Sequence, residues 1–127
     1  MTRLIVLDAG PLGMVANPRS TPTALHATRW LRSLLADGQS VAIPEIDDYE
    51  VRRELLRARR WDGLRTVDAH QARLLYLPLP TTTMRRAAEL WARCRNEGFP
   101  LADPHALDCD VILAAQAAEA RSDYDEV

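Results

Sequence analysis

The stretch Leu107-Asp108-Cys109-Asp110-Val111-Ile112-Leu113-Ala114-Ala115-Gln116-Ala117 drives acidic residues into the start of an otherwise apolar, alanine-rich segment with helical composition. A helix of this kind is expected to be buried. A carboxylate leading into a buried helix is costly unless a positive partner stabilises it, and a divalent metal is one such partner. At the other end of the chain, Leu4-Ile5-Val6-Leu7-Asp8-Ala9-Gly10-Pro11-Leu12 is an aliphatic run that reads as a buried strand with an acid at its carboxyl end. Two acids distant in sequence are therefore presented by buried elements.

Between these stretches the pattern alternates. The first strand spans residues 3 to 8, and a loop containing Pro18 and Pro22 leads to a helix whose apolar face carries Ala24, Leu25, Ala27, Thr28, Leu31, Leu34 and Leu35, with Gly38 as stop signal. Ser40-Val41-Ala42-Ile43-Pro44 reads as a short buried strand. The segment from Glu45 to Leu56 has helical spacing with acids in its first turn, where the helix dipole favours them. A further helix is expected over residues 62 to 74. Tyr76-Leu77-Pro78-Leu79-Pro80 reads as a third strand, placed by its prolines at a sheet edge. Thr81-Thr82-Thr83 can cap the next helix, whose stripe of Met84, Ala87, Ala88, Trp91 and Cys94 ends near Gly98. Strands alternating with helices imply an α/β fold with a parallel sheet, whose functional crevice lies beyond the carboxyl ends of the strands. Asp8 falls there by position.

At 127 residues the chain fits one domain, residues 1–127, able to bury roughly two thirds of its unfolded surface. No apolar run approaches the roughly 20 residues that span a bilayer, and the amino terminus reads as a strand rather than a signal peptide. Cys94 and Cys109 lack metal-ligand spacing and read as reduced, buried thiols, consistent with a cytoplasmic protein without membrane partners. All 16 basic residues are arginine. The absence of lysine excludes a Walker-type phosphate loop, a Schiff-base amine and a Ser-Lys dyad. A formal net charge of -2 argues against a broad electrostatic grip on nucleic acid, so any RNA contact should be local.

Asp8, Glu50 and Asp110 each stand where the chain turns from apolar to polar. Together they make a hard, all-oxygen donor set suited to Mg²⁺ or Mn²⁺, whose water can be deprotonated to attack a phosphodiester. With these residues in view, the chain resembles the PIN-domain ribonucleases, especially the VapC-type toxins of toxin-antitoxin systems. Leu7-Asp8-Ala9-Gly10-Pro11-Leu12 resembles the family's opening strand and first catalytic Asp. Pro44-Glu45-Ile46 through Tyr49-Glu50-Val51-Arg52-Arg53-Glu54-Leu55 resembles its second motif, and Asp110-Val111-Ile112-Leu113-Ala114-Ala115-Gln116-Ala117 its third.

The resemblance implies a PIN-like fold and a Mg²⁺-dependent endoribonuclease, the toxin of a type II system, with Asp8, Glu50 and Asp110 as catalytic metal ligands. It also implies an RNA substrate, a cognate antitoxin and a homodimer. The family commonly continues after the third motif into another strand, whereas here Asp123-Tyr124-Asp125-Glu126-Val127 closes the sequence. The expectation is a sheet lacking its last strand or strands and a domain incomplete at its carboxyl end. That motivates the alternative of a catalytically weak or inactive PIN module that binds RNA or a partner protein. A phosphatase using Asp8 as nucleophile fares poorly, because Gly10 stands where the usual second Asp would be.

Each residue also has a plainer reading. Asp8 can cap the turn after its strand, and Glu50 competes with Glu45 and Glu54. Asp108 and Asp110, two apart, do not share a helical face. The spacing to Leu113-Ala114-Ala115 selects Asp110 and leaves Asp108 as N-cap, as an acid supporting the ligands or as an auxiliary metal ligand, unless the helix starts earlier with Asp103 as cap and Pro104 at its first position. Arg52, Arg53, Arg57, Arg59, Arg60 and Arg65 can bind RNA phosphates or an acidic antitoxin segment, Arg52, Arg53 and Arg57 foremost, or simply form a solvated face. His26, His70 and His105 read as surface or capping residues, and Trp30, Trp61 and Trp91 as core or dimer-interface anchors.

Overall fold

A computed structural model describes residues 2–98 and 104–127, and the side chains of 2–98 and 108–127. Three parallel strands, β1 (Leu4–Val6), β2 (Ser40–Pro44) and β3 (Leu75–Leu77), lie in the order β1-β2-β3. Ile5 pairs with Val41 and Ile43 with Tyr76. Alternate residues feed opposite faces. Leu7, Val41 and Ile43 enter a core with Leu12, Val15, Ala27 and Leu31, whereas Leu4 and Ala42 pack with Ala120 on the reverse side. Burial on both faces is why these strands read as aliphatic runs rather than as polar-apolar alternation.

Among the described residues six helices cover the sheet: α1 (Ala9–Ala16), α2 (Pro22–Ala36), α3 (Glu45–Arg57), α4 (Trp61–Arg73), α5 (Thr81–Asn96) and α6 (Pro104–Ala120). The expected α/β architecture is borne out, with β3 at the edge. The reverse-side helices α5 and α6 pack through Ala87, Val111 and Ala115. Gly38 follows α2 at φ 76°, a left-handed conformation that lets the chain turn sharply into β2. No helix among the described residues is long and apolar enough to cross a membrane.

Several expectations need correction. The stretch after β1 read as loop contains α1, capped by Asp8, whose Oδ1 accepts the Ala9 N–H at 2.7 Å. Pro11 sits in its first turn, where no intrahelical donor is required. Thr81 does not cap α5: Pro80 holds that position, and no side chain caps the helix. The third strand stops at Leu77 because Pro78 and Pro80 cannot extend a ladder.

The alanine-rich helix is not buried all round. Val111, Ala115, Gln116 and Ala120 are covered, while Asp108, Asp110 and Ala114 face outward. It begins at Pro104, so Asp108 lies inside the helix and is not its N-cap. The alternative start is therefore the correct one, although the Asp103 cap itself lies outside the described residues, as does the side chain of His105.

The tryptophans are surface residues rather than core anchors, each at least 39% exposed. Cys94 and Cys109 are free and half-buried. The capping reading fits His70, whose Nε2 lies 3.0 Å from the Val15 carbonyl in the last turn of α1.

At the carboxyl end, the Leu4 N–H donates to the Glu126 carbonyl at 2.8 Å, and Arg3 pairs with Glu126 in a parallel bridge. The last residues thus run beside the start of β1. Farther along, β1 is an edge of the sheet among the described residues.

Candidate functional site

The site gathers at the carboxyl ends of β1 and β2, where α1 and α3 begin. Asp8 leaves β1 and caps α1 with one carboxylate oxygen, so the plain reading of this residue as a cap is realised while Oδ2 takes no part in the cap. Pro44 ends β2, and the chain turns at once into α3, whose first turn carries Glu45, Asp47 and Asp48.

Those three acids have different fates. Glu45 accepts the Leu79 N–H at 2.8 Å and anchors the loop after β3. Asp48 takes two hydrogen bonds from Arg52, one turn on, at 3.1 Å each, and Arg52 reaches Asp68 of α4 at 2.7 Å. Asp47 is fully buried, and among the described residues neither of its carboxylate oxygens has a hydrogen-bond partner. Burial first, and then the negative charges of Asp8 and Glu50, together raise its pKa to about 7. Three carboxylates are thus close enough to repel.

Asp47 and Glu50 are three residues apart on α3 and so share a helical face. Glu50 is half-buried. On the α6 side, burial and then the neighbouring Glu50 carboxylate push the Cys109 thiol up to about 11, with Asp110 adding to the rise. Helix α6 is fixed against the sheet by Gln116. Its Oε1 accepts the Ile46 N–H at 3.3 Å, and its Nε2 donates to the carbonyls of Leu77 and Pro78 at 2.7 and 3.1 Å. One turn after Asp110, Leu113 lines a groove with Asp8.

Asp8 and Glu50 therefore both lie near enough to Asp47 to act on its charge, and Asp110 follows Cys109, whose thiol responds to Glu50. Asp108 is exposed. Among the described residues, no three acids, histidines or cysteines converge as a ready-made metal cage. Sequence reasoning missed Asp47. It sits among four other acids on one helix, and only the packing of α3 leaves it fully buried without a partner among the described residues.

The arginines diverge as well. Arg52 is committed to Asp48 and Asp68, which raises its already high pKa further, and Arg57 pairs with Glu54 at 2.9 Å. Arg53 is exposed, stacks over Tyr49 at 5.2 Å from the ring centre and lies on the Glu50 and Cys109 side. A cleft of about 520 Å³ between α1 and α3 runs from Glu50 over Gly10 and Gly13 to Arg19 and Arg60. Arg19 is a second residue that sequence reasoning did not single out.

No family model and no curated protein matches this chain. Among solved structures, it is similar to a chain in the crystal structure of VapBC2 from Rickettsia felis bound to a DNA fragment from their promoter. The match has a TM-score of 0.65 and 16% identity, covering 90% of this chain and 79% of that one. At that identity the likeness is one of fold. The three-stranded parallel sheet with its six helices is a PIN-like fold, as the sequence motifs imply.

Proposed function

We propose that the chain is a metal-dependent endoribonuclease of the VapC type, hydrolysing RNA phosphodiesters at the cluster formed by Asp8, Glu50 and Asp110. The supporting observation is the buried Asp47 carboxylate, which faces two further acids and has no donor among the described residues. Such crowding is unfavourable for the protein alone and is relieved by a divalent cation. The donors are all carboxylate oxygens, which fit Mg²⁺ or Mn²⁺. Asp8, Glu50 and Asp110 would hold the ion, with Asp108 as an auxiliary acid. When bound, the ion supplies an acidified water and offsets charge on the scissile phosphate.

The protein's own groups do the rest. The cleft beside Glu50 gives a strand of RNA a path along α1, and Arg19 and Arg60 offer guanidinium groups to phosphates at its far end. Arg53, with Arg52 and Arg57 on the same helix, contributes local positive charge to RNA or to an acidic antitoxin segment. A chain of the VapBC2 structure is similar in fold to this one, and an antitoxin partner and a homodimer belong to the same reading.

Purified protein should cleave RNA in Mg²⁺ or Mn²⁺ and stop in EDTA. Asp8→Asn, Glu50→Gln and Asp110→Asn should abolish cleavage while Asp108→Asn spares much of it. A more damaging Asp108→Asn would show that the register of acids on α6 is misassigned. The second reading, an inactive module that binds RNA or a partner protein, is favoured by the lack of a preformed metal cage among the described residues. RNA binding without cleavage at any metal concentration would select it.

A further inference from the structure

We propose that Asp47 is a fourth carboxylate ligand of the divalent cation held by Asp8, Glu50 and Asp110. This inference rests on the metal-dependent reading above, and none of the motif acids in the family resemblance falls on Asp47.

A buried carboxylate is normally matched by hydrogen bonds or an opposite charge. Asp48, the adjacent residue, shows how this helix meets that need: it is 9% exposed and receives both bonds of the Arg52 fork. Asp47 is 0% exposed, and neither oxygen has a partner among the described residues. Arg52 cannot serve both, because its guanidinium is already shared between Asp48 and Asp68. The Ile46 N–H in the same turn is taken by Gln116.

A proton on Asp47 would remove the charge but leave a buried hydroxyl seeking an acceptor and a carbonyl seeking a donor. A divalent cation engages the oxygens directly and at the same time offsets Asp8 and Glu50. The placement suits that role. Asp47 shares a face of α3 with Glu50, and β1 and β2 are parallel neighbours, so the end of β1 at Asp8 lies beside the end of β2 where α3 starts. A buried ligand on a rigid helix fixes the ion at the floor of the site, leaving the more exposed Asp8 and Asp110 on the side open to substrate.

The test is Mn²⁺ binding, followed by calorimetry on wild-type protein, Asp47→Asn and Asp8→Asn, with urea unfolding in EDTA alongside. Asp47→Asn should remain folded and at least as stable as wild type at pH 8 without metal, yet bind Mn²⁺ roughly tenfold or more weakly, since ligand charge sets affinity in oxygen-donor sites. Unchanged affinity in Asp47→Asn with weakened binding in Asp8→Asn would overturn this inference and leave the nuclease reading standing. No binding to wild type at millimolar Mn²⁺ would overturn both. Should Asp47→Asn fail to fold, the carboxyl ¹³C resonances of wild-type protein decide: on Mg²⁺ addition that of Asp47 should move with that of Asp8, and an Asp47 signal that stays fixed while Asp8 moves overturns the assignment.

Discussion

The side-chain amide of Gln116 in α6 donates to the Leu77 carbonyl at the end of β3 at 2.7 Å, while its oxygen accepts the Ile46 N–H in the first turn of α3. Helix α3 has Pro44 at its cap position and no side-chain cap of its own. A residue 70 positions away therefore does part of the capping, and it ties together the three elements that carry Glu50, Asp110 and the end of the sheet. Gln116 is 3% exposed, so removing it leaves a buried donor and buried acceptors without partners. Gln116→Ala should destabilise the protein by roughly 2 to 3 kcal/mol in urea unfolding. A loss below about 0.5 kcal/mol would show that water replaces these bonds freely.

The strands and most helices were legible because each is a local pattern: aliphatic runs at Leu4–Val6 and Val41–Ile43, and a 3.6-residue stripe in α2. Helix α1 was not, because Gly10 and Gly13 remove two side chains from an eight-residue helix and Pro11 imitates a turn. Only Asp8, as a cap before a first-turn proline, carried its signal. Asp8, Glu50 and Asp110 stood out through motif spacing. Asp47 could not, since its complete burial without a partner among the described residues is a property of tertiary packing. The exposure of Trp30, Trp61 and Trp91 was hidden for the same reason.

Arg52 and Arg53 are adjacent in sequence and differ in what a substitution should do. Arg52 joins α3 to α4 through a two-bond fork to Asp48 and a contact to Asp68, with Asp48 largely buried. Arg52→Ala strands that acid and should cost about 1 to 3 kcal/mol of stability. Arg53→Ala should leave unfolding unchanged and weaken RNA binding with a shallower salt dependence. Equal effects of both substitutions on stability would contradict this division of roles.

Cys109 should be an unreactive thiol in metal-free protein. Burial, together with the neighbouring Glu50 carboxylate, pushes it up to about 11. At pH 8 almost no thiolate is present, so iodoacetamide should label Cys109 on the order of a hundredfold more slowly than a free cysteine. Glu50→Gln removes that charge but not the burial, and should speed labelling only in part. Mass spectrometry of the two cysteine peptides in EDTA reads this directly, and rapid labelling of Cys109 in wild type would place Glu50 elsewhere.

The pH dependence of metal-free stability should carry the signature of Asp47. Its folded-state pKa, raised by burial and then by Asp8 and Glu50 from 3.8 to about 7, lies above the unfolded value. Between those limits the native protein holds a proton that the unfolded chain gives up, so stability falls as pH rises through this window and levels off above it. The group's favourable contribution is complete below pH 3.8 and gone above about 7, a change of order a few kcal/mol. Asp47→Asn never ionises and should lack this decline, which makes the variant relatively more stable at pH 8 than at pH 5. Saturating Mn²⁺ should flatten the wild-type profile in the same direction by stabilising the charged form. Urea unfolding at pH 5 and pH 8 in EDTA measures it, and parallel profiles for wild type and Asp47→Asn would mean that Asp47 is ionised in the folded protein without a metal.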